Sequence, residues 1–196
     1  LSAVFARLTG EPEWWHFTVI AGISEGLRRS SLPQKSLAAL IGANPPELSD
    51  QIAILNGLLN DATRIALDRD RSDSDRTAAL GIVSQKPLAE KLEVVDTLIA
   101  LEESPEVQAA ACHILARDKR EDVASFFFER WKNLSPTPRR EALALITSNT
   151  KTGLTLMKKM KAGEISPSAM PPMTRWSYGR SSNEEIKTLA LELFGQ

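Results

Sequence analysis

A cysteine and a histidine stand side by side within the apolar run AAACHILARD, at residues 109–118. The pair could supply a nucleophile and its base, or two metal ligands. In a helix, however, adjacent side chains point about 100° apart and do not converge on one ligand. We therefore expect Cys112 to be an inert core residue and His113 to be partly exposed, with no site between them.

Two other segments contain residue types that bind metals. Glu13 and His16 stand three residues apart and would share a helical face with Glu11 nearby, which makes a poor metal site. The segment DRDRSDSDR, residues 68–76, carries four aspartates but lacks the glycine and the closing glutamate of a calcium loop. We interpret these segments as a helix start and a solvated turn. No catalytic, metal-binding or cofactor-binding residue is predicted, and no cofactor is expected in this segment.

The composition predicts an almost entirely helical protein. Hydrophobic residues make up 42% of the 196 residues and charged residues 25%, and Leu, Ala, Glu, Lys and Arg, which favour helix, dominate. No apolar stretch approaches the roughly 20 residues that span a bilayer, so no transmembrane segment is predicted. Because the chain begins at Leu1 without a leader, we expect it to be a domain of a longer protein.

Similar helical stretches recur along the chain. Each begins with a Ser-led polar turn, a favourable N-cap, and continues with a small residue, a large residue and two more apolar residues. Equivalent residues are spaced by 32, 31 and 48. These first helices are SDSDRTAALGIV (72–83), SPEVQAAACHIL (104–115), SPTPRREALALI (135–146) and SNEEIKTLALELF (182–194). The second helices between them are PLAEKLEVVDTLIAL (87–101), EDVASFFFERWKNL (121–134) and KTGLTLMKKMKAG (151–163).

A repeated helix pair with a recurring alanine predicts an all-α fold of the α-solenoid class, a HEAT/armadillo-like right-handed superhelix of stacked helix pairs. We predict one domain over residues 1–196. It would comprise irregular N-terminal pairs at 1–70, regular repeats at 72–163 and a capping unit interrupted by prolines at 164–196. The predicted core residues are Ala79, Leu80, Ala111, Cys112, Leu115, Ala142, Leu143, Leu145, Ala190 and Leu193.

The residues that could contact a partner are concentrated in a basic stretch. Residues 117–161 include eleven basic and five acidic residues, a net charge of +6. We predict a non-enzymatic scaffold or spacer that offers a protein-docking surface. Because helical repeats can align basic residues against phosphates, a nucleic-acid-binding module is the alternative function. The candidate interaction surface consists of Arg117, Lys119, Arg120, Arg130, Lys132, Arg139, Arg140, Lys158 and Lys159.

Aromatic residues leave a third class of function open. The run FFFERW, residues 126–131, holds four rings that cannot share one helical stripe, so at least one should face outward. Helical-repeat enzymes of DNA repair need an aromatic-lined pocket with an acidic residue, to which Trp131 and Trp176 could contribute.

The last third of the chain carries a recognisable order of elements. Residues 135–196 contain a repeat helix, a helix ending LMKKMKAGEI, the proline segment SPSAMPP and the final helix NEEIKTLALELFG. In this order the segment resembles the HEAT-like helical segment of large multidomain proteins of the planctomycete type. In that family the segment follows a β-propeller-like membrane-bound dehydrogenase domain and precedes a small c-type cytochrome domain.

The resemblance implies a redox-related, extracytoplasmic setting and a spacer without catalytic residues. Attachment of a c-type haem needs the motif CxxCH, whereas this chain has a single cysteine, Cys112, followed by His113. A haem domain would therefore lie outside these residues. Partners would be proteins or neighbouring domains.

The parent protein, purified from its natural host, should accordingly show a Soret band and, when reduced, the α-band of a c-type haem. Absorption spectra of the oxidised and reduced forms measure this directly. Spectra without haem bands would contradict the family resemblance and leave a binding solenoid of unknown context.

Overall fold

A computed structural model of the chain describes residues 14–31, 33–100 and 102–195. Within these ranges there are eleven α-helices, three short 3₁₀ helices and no β-strand, which confirms the prediction of an all-α protein. The α-helices are α1 (Trp14–Arg29), α2 (Leu37–Ala43), α3 (Ser49–Leu67), α4 (Asp73–Val83), α5 (Leu88–Leu98), α6 (Pro105–His113), α7 (Arg120–Arg130), α8 (Pro136–Thr147), α9 (Thr150–Lys161), α10 (Pro172–Gly179) and α11 (Glu184–Phe194). The 3₁₀ helices are Pro46–Leu48, Trp131–Asn133 and Pro167–Ala169.

The chain divides into two compact units, Leu1–Leu115 and Ala116–Gln196. In the first unit α4 packs against α1, α3 and α6, while α5 packs against α3 and α6. In the second unit α8 packs against α7 and α9, and α9 also contacts α7 and α11. The prediction of a single domain over residues 1–196 stays a prediction.

Polar side chains start several of these helices. Ser72 accepts a hydrogen bond from the backbone N–H of Asp75, and Ser104 accepts one from Val107, so both satisfy a donor that the helix itself leaves without a partner. At α11 the cap is Asn183 and not the predicted Ser182. The asparagine side chain accepts from two backbone N–H groups, so it fixes the helix start one residue later.

The recurring small and large residues lie in the cores of the two units. Nine of the ten predicted core residues are buried, and Leu193 is half-buried. Leu191 does not follow this pattern. The repeat alignment predicts a core position for it, equivalent to Leu80, Cys112 and Leu143, but its side chain is 50% exposed. That part of the alignment is wrong.

The neighbours of α11 explain the exposure of Leu191. The sequence comparison placed α11 among the first helices, but its main contacts are with α9, a second helix, and with α10. Helix α10, whose sequence predicts part of a proline-interrupted insertion, precedes α11 as the first helix of the last pair. The apolar pattern of α11 therefore faces different neighbours from those of α4 or α6.

A side-chain hydrogen bond that recurs four residues after the N-cap supports this assignment of α10. In each of four helices the residue at that position donates to a backbone carbonyl near the end of the preceding helix or in the turn that follows it. The bonds join Arg76 to Ala66 (3.0 Å), Gln108 to Ala100, Arg139 to Leu134 (2.8 Å) and Arg175 to Met170 (2.7 Å). These four donors are spaced by 32, 31 and 36 residues. The irregular spacing of 48 thus comes from aligning the wrong helix of the last pair.

Helix α10, the first helix of the last pair, differs from the other first helices where it contacts α9. Counted from the N-cap, Tyr178 of α10 takes the position held by Ala79, Ala111 and Ala142. The added bulk fits because Gly153 of α9 lies opposite, and a Cβ atom there would overlap the Tyr178 hydroxyl. That hydroxyl is buried and has no hydrogen-bond partner among the described residues.

A buried ion pair joins the start of α4 to the turn between α5 and α6 in the first unit. The side chains of Arg76 and Glu103 are only 4% and 3% exposed, and a guanidinium nitrogen lies 2.7 Å from a carboxylate oxygen. The other carboxylate oxygen accepts from Arg69 at 2.8 Å. The charged segment at residues 68–76 is thus more than a solvated turn, since two of its arginines bind one buried carboxylate.

Replacing Glu103 with leucine should lower the free energy of unfolding by about 3–5 kcal/mol, because the Arg76 guanidinium would stay buried without its carboxylate. Urea denaturation measures the change. The matched control is Glu102→Leu, at the exposed neighbouring position. Equal losses in the two variants would contradict this role of Glu103.

The chain contains one tyrosine, so its ionisation can be followed by phenolate absorbance alone. Burial raises the pKa of Tyr178 above the usual value of 10.0. In a pH titration the folded protein should therefore form phenolate later than the unfolded chain does. Because the unfolded state releases its proton first, stability should fall as the pH rises above 10.

Tyr178→Phe is the control for that titration, since it removes the ionising group and the buried hydroxyl. Its stability should lack the part of the alkaline loss that comes from this residue. An ordinary tyrosine pKa in the folded protein would show that the ring is not buried against α9.

Candidate functional site

The adjacent cysteine and histidine lie in different environments. Cys112 is completely buried in the first unit, whereas His113, the last residue of α6, is exposed. The two side chains therefore do not converge on one substrate or ion.

In the other two segments with candidate metal ligands, the described side chains are buried or hydrogen-bonded locally. Glu11 and Glu13 lie outside the described residues, and His16 is buried on α1. In the aspartate-rich segment, Asp68 accepts from the backbone of Asp70 and Asp75 accepts from the Ser72 hydroxyl. Within the ranges that the structure describes, no group of three or more His, Cys, Asp or Glu residues is arranged to hold a metal ion.

The lysines of α9 are paired with glutamates. Lys151 lies 3.1 Å from Glu121 of α7, and Lys159 lies 2.6 Å from Glu164. On the other side, Lys158 and Lys161 lie 2.8 Å and 2.7 Å from Glu185 and Glu192 of α11. The basic helix is thus flanked by carboxylates on α7 and α11, which reduces the positive potential that the sequence suggested.

The remaining residues of the predicted basic surface are dispersed over α7, α8 and the turns beside them. Arg139 is used in packing, because it donates to Leu134 and lies over the Trp131 ring, whose centroid is 5.7 Å away. Arg130 lies 4.0 Å from the centroid of Phe126. The others are paired locally or exposed: Arg140 with Glu141, Lys119 with Asp122, Arg120 with the Ala116 carbonyl, and Arg117 and Lys132 on the surface.

A groove of about 490 Å³ runs between α7 and α9. Phe128 contributes a half-buried ring, the outward-facing aromatic that the run FFFERW predicts, and the Lys159 ammonium lies 5.5 Å from its centroid. We call this feature the α7–α9 groove. It is lined by Glu121, Ala124, Ser125, Phe128, Glu129, Lys151, Thr152, Thr155, Lys159 and Glu164.

The α7–α9 groove is slightly acidic within a basic unit. Its lining holds three glutamates and two lysines, a net charge of −1, whereas residues 116–196 hold 14 basic and 9 acidic residues, a net charge of +5. At one end the backbone N–H of Glu121, at the start of α7, and the Lys151 ammonium lower the pKa of the Glu121 carboxyl. This carboxylate is therefore charged at neutral pH and holds Lys151 across the groove.

Two exposed hydroxyl groups line the groove with Phe128. Ser125 donates to the carbonyl of Glu121 at 2.9 Å, and Thr155 donates to that of Lys151 at 3.1 Å. Both residues are exposed, and their oxygens keep capacity to accept a hydrogen bond from a ligand. The arrangement can therefore bind polar groups beside an aromatic surface.

A second, shallower groove lies between α9 and α11, with a volume of about 540 Å³. Lys158, Lys161, Glu185 and Glu192 line it and form the two ion pairs described above. Neither Trp131, which is buried, nor Trp176, which is exposed on α10, lines either groove. The two tryptophans considered for a repair-enzyme pocket therefore contribute to neither groove.

Comparison with known proteins gives no match to this chain among protein-family models, curated proteins or solved structures. None of the helices in the described part of the chain combines the length and the apolar character needed to cross a membrane.

Proposed function

We propose that the chain is a non-catalytic helical-repeat scaffold whose second unit docks an extended segment of a partner protein in the α7–α9 groove. The observation that carries the proposal is the groove itself, with an accessible aromatic ring beside hydroxyl groups and paired charges. Extended peptides suit such a surface, because alternate side chains can reach an apolar contact and a polar one.

The repeat organisation supports the proposed α-solenoid. Four helices carry the same donor at the fourth residue after the N-cap, and helices two apart in the chain contact each other, α4 with α6 and α7 with α9. Such contacts between successive pairs are typical of stacked repeats. In a solenoid the second helices form a row, so a groove between α7 and α9 lies on a surface that stacked repeats commonly use for binding.

The contacts offered by the groove fit a short peptide. An apolar side chain of the partner would rest on Phe128, while its backbone N–H groups would donate to Ser125 and Thr155. The exposed carboxylate of Glu129, at the rim, would attract a basic residue of the partner. Charges at the rim of an interface set specificity and association rate more than affinity.

Nucleic acid is the weaker alternative for the same unit. Phosphate binding depends on basic residues that release counterions, and four lysines of α9 are already paired with glutamates. We therefore favour protein docking. In the setting implied by the family resemblance, the docked segment would belong to a neighbouring redox domain or its partner.

Panning a phage-displayed random-peptide library against the whole immobilised chain tests the proposal. The peptides enriched by this selection should lose most of their binding to Thr155→Arg, because the arginine would fill the groove beside Phe128. Fluorescence anisotropy of labelled synthetic peptides measures the change in affinity.

Thr97→Arg is the matched control. Thr97 is also an exposed helical threonine whose hydroxyl donates to the carbonyl four residues earlier, but it belongs to the first unit. Binding lost in Thr155→Arg and kept in Thr97→Arg is the expected result. A library without enriched peptides, or peptides that bind both variants equally, would overturn the proposal.

A further inference from the structure

The second helices of the second unit, α7, α9 and α11, form a row in which α9 contacts both of the others. Each helix buries one residue and the residues three and four positions after it. These are Val123, Phe126 and Phe127 on α7, Gly153, Leu156 and Met157 on α9, and Ile186, Leu189 and Ala190 on α11. The shared pattern sets the register of the row, with equivalent residues 30 and 33 positions apart.

One side of each helix in this register faces the next helix of the row. On α7 it carries Phe128, which lines the α7–α9 groove. On α9 the equivalent residue is Lys158, whose ammonium lies 2.8 Å from Glu185 of α11. Three residues later, Lys161 lies 2.7 Å from Glu192. Helix α9 thus presents two lysines to two glutamates of its neighbour, and the order of these contacts shows that the two helices run parallel.

On α11 the same two positions are apolar. Leu191 takes the place of Lys158 and is 50% exposed, while Phe194 takes the place of Lys161 and is half-buried. The Arg175 guanidinium lies 5.5 Å from the centroid of the Phe194 ring, so Leu191 is the more accessible of the two. A stacking face without a neighbour is expected to be polar, whereas this one continues the contact surface of the row with apolar side chains.

We propose that this side of α11 docks an amphipathic helix of a partner protein, laid parallel to α11 as α11 itself lies along α9. The contacts within the row specify the occupant. The two lysines of α9 meet glutamates seven residues apart on α11, so the partner helix should meet Leu191 and Phe194 with apolar residues at that same separation. Seven residues are about two turns, which places both on one face of a helix.

This surface is separate from the α7–α9 groove. Neither Leu191 nor Phe194 lines that groove, and the occupant is a helix and not an extended segment. The binding of extended peptides and the binding of a helix can therefore succeed or fail independently.

A stapled helical peptide with the sequence of residues 183–195 tests the proposal, with Glu185 and Glu192 both replaced by leucine. A second peptide that keeps the two glutamates is its matched control. Fluorescence anisotropy with the whole chain measures both dissociation constants. Wild type should bind the leucine peptide about tenfold more tightly, because leucines bury apolar surface against α11 whereas glutamates would lose water there without a lysine opposite.

The variant Leu191→Lys restores the lysine that α9 presents and should reverse the preference, so that the glutamate peptide binds more tightly. Leu67→Lys changes an exposed leucine of the first unit and should leave both dissociation constants unchanged. Circular dichroism verifies that both variants fold. Failure of wild type to bind either peptide, or an unchanged preference in Leu191→Lys, overturns the proposal. Self-association of wild type that Leu191→Lys abolishes would also overturn it, since a second copy would then cover α11.

Discussion

The carbonyl groups at the end of a helix need donors from outside that helix, and here one position supplies a donor repeatedly. Arg76, Gln108, Arg139 and Arg175 each extend back from the start of a helix to a carbonyl near the end of the previous helix or in the segment between the two. The bond ties the start of each helix to the end of its predecessor or to the segment between them. The small and large core residues that follow this position in α4, α6 and α8 are buried.

In the second unit the lysines of one helix pair with carboxylates that lie elsewhere in the sequence. The lysines of α9 are spread along residues 151–161, whereas their carboxylate partners lie on α7, on α11 and just after α9 itself. A local count of charges therefore overstates the positive potential of this region. What is left accessible is a groove of mixed charge with an aromatic ring, which suits a polypeptide better than a polyphosphate.

The helices were predictable because their apolar periodicity and polar starts are local properties. The buried alanines and Cys112 followed from the same pattern. The position of α11 did not, because its Ala190–Leu191 pair imitates the pattern of the first helices while its neighbours differ. Two adjacent prolines at the start of α10 concealed a first helix. The role of Glu103 required two distant arginines, Arg69 in the turn before α4 and Arg76 on α4. Such contacts join residues about 30 positions apart, so no local pattern of residue types predicts them.

The complete burial of Cys112 has a practical consequence. Because this is the only thiol of the chain, a thiol-directed reagent has one target, and it lies where the reagent cannot enter the closed structure. Each alkylation therefore reports an opening event in the first unit. The native sequence thus carries a kinetic probe of local unfolding at α6, without any engineered label.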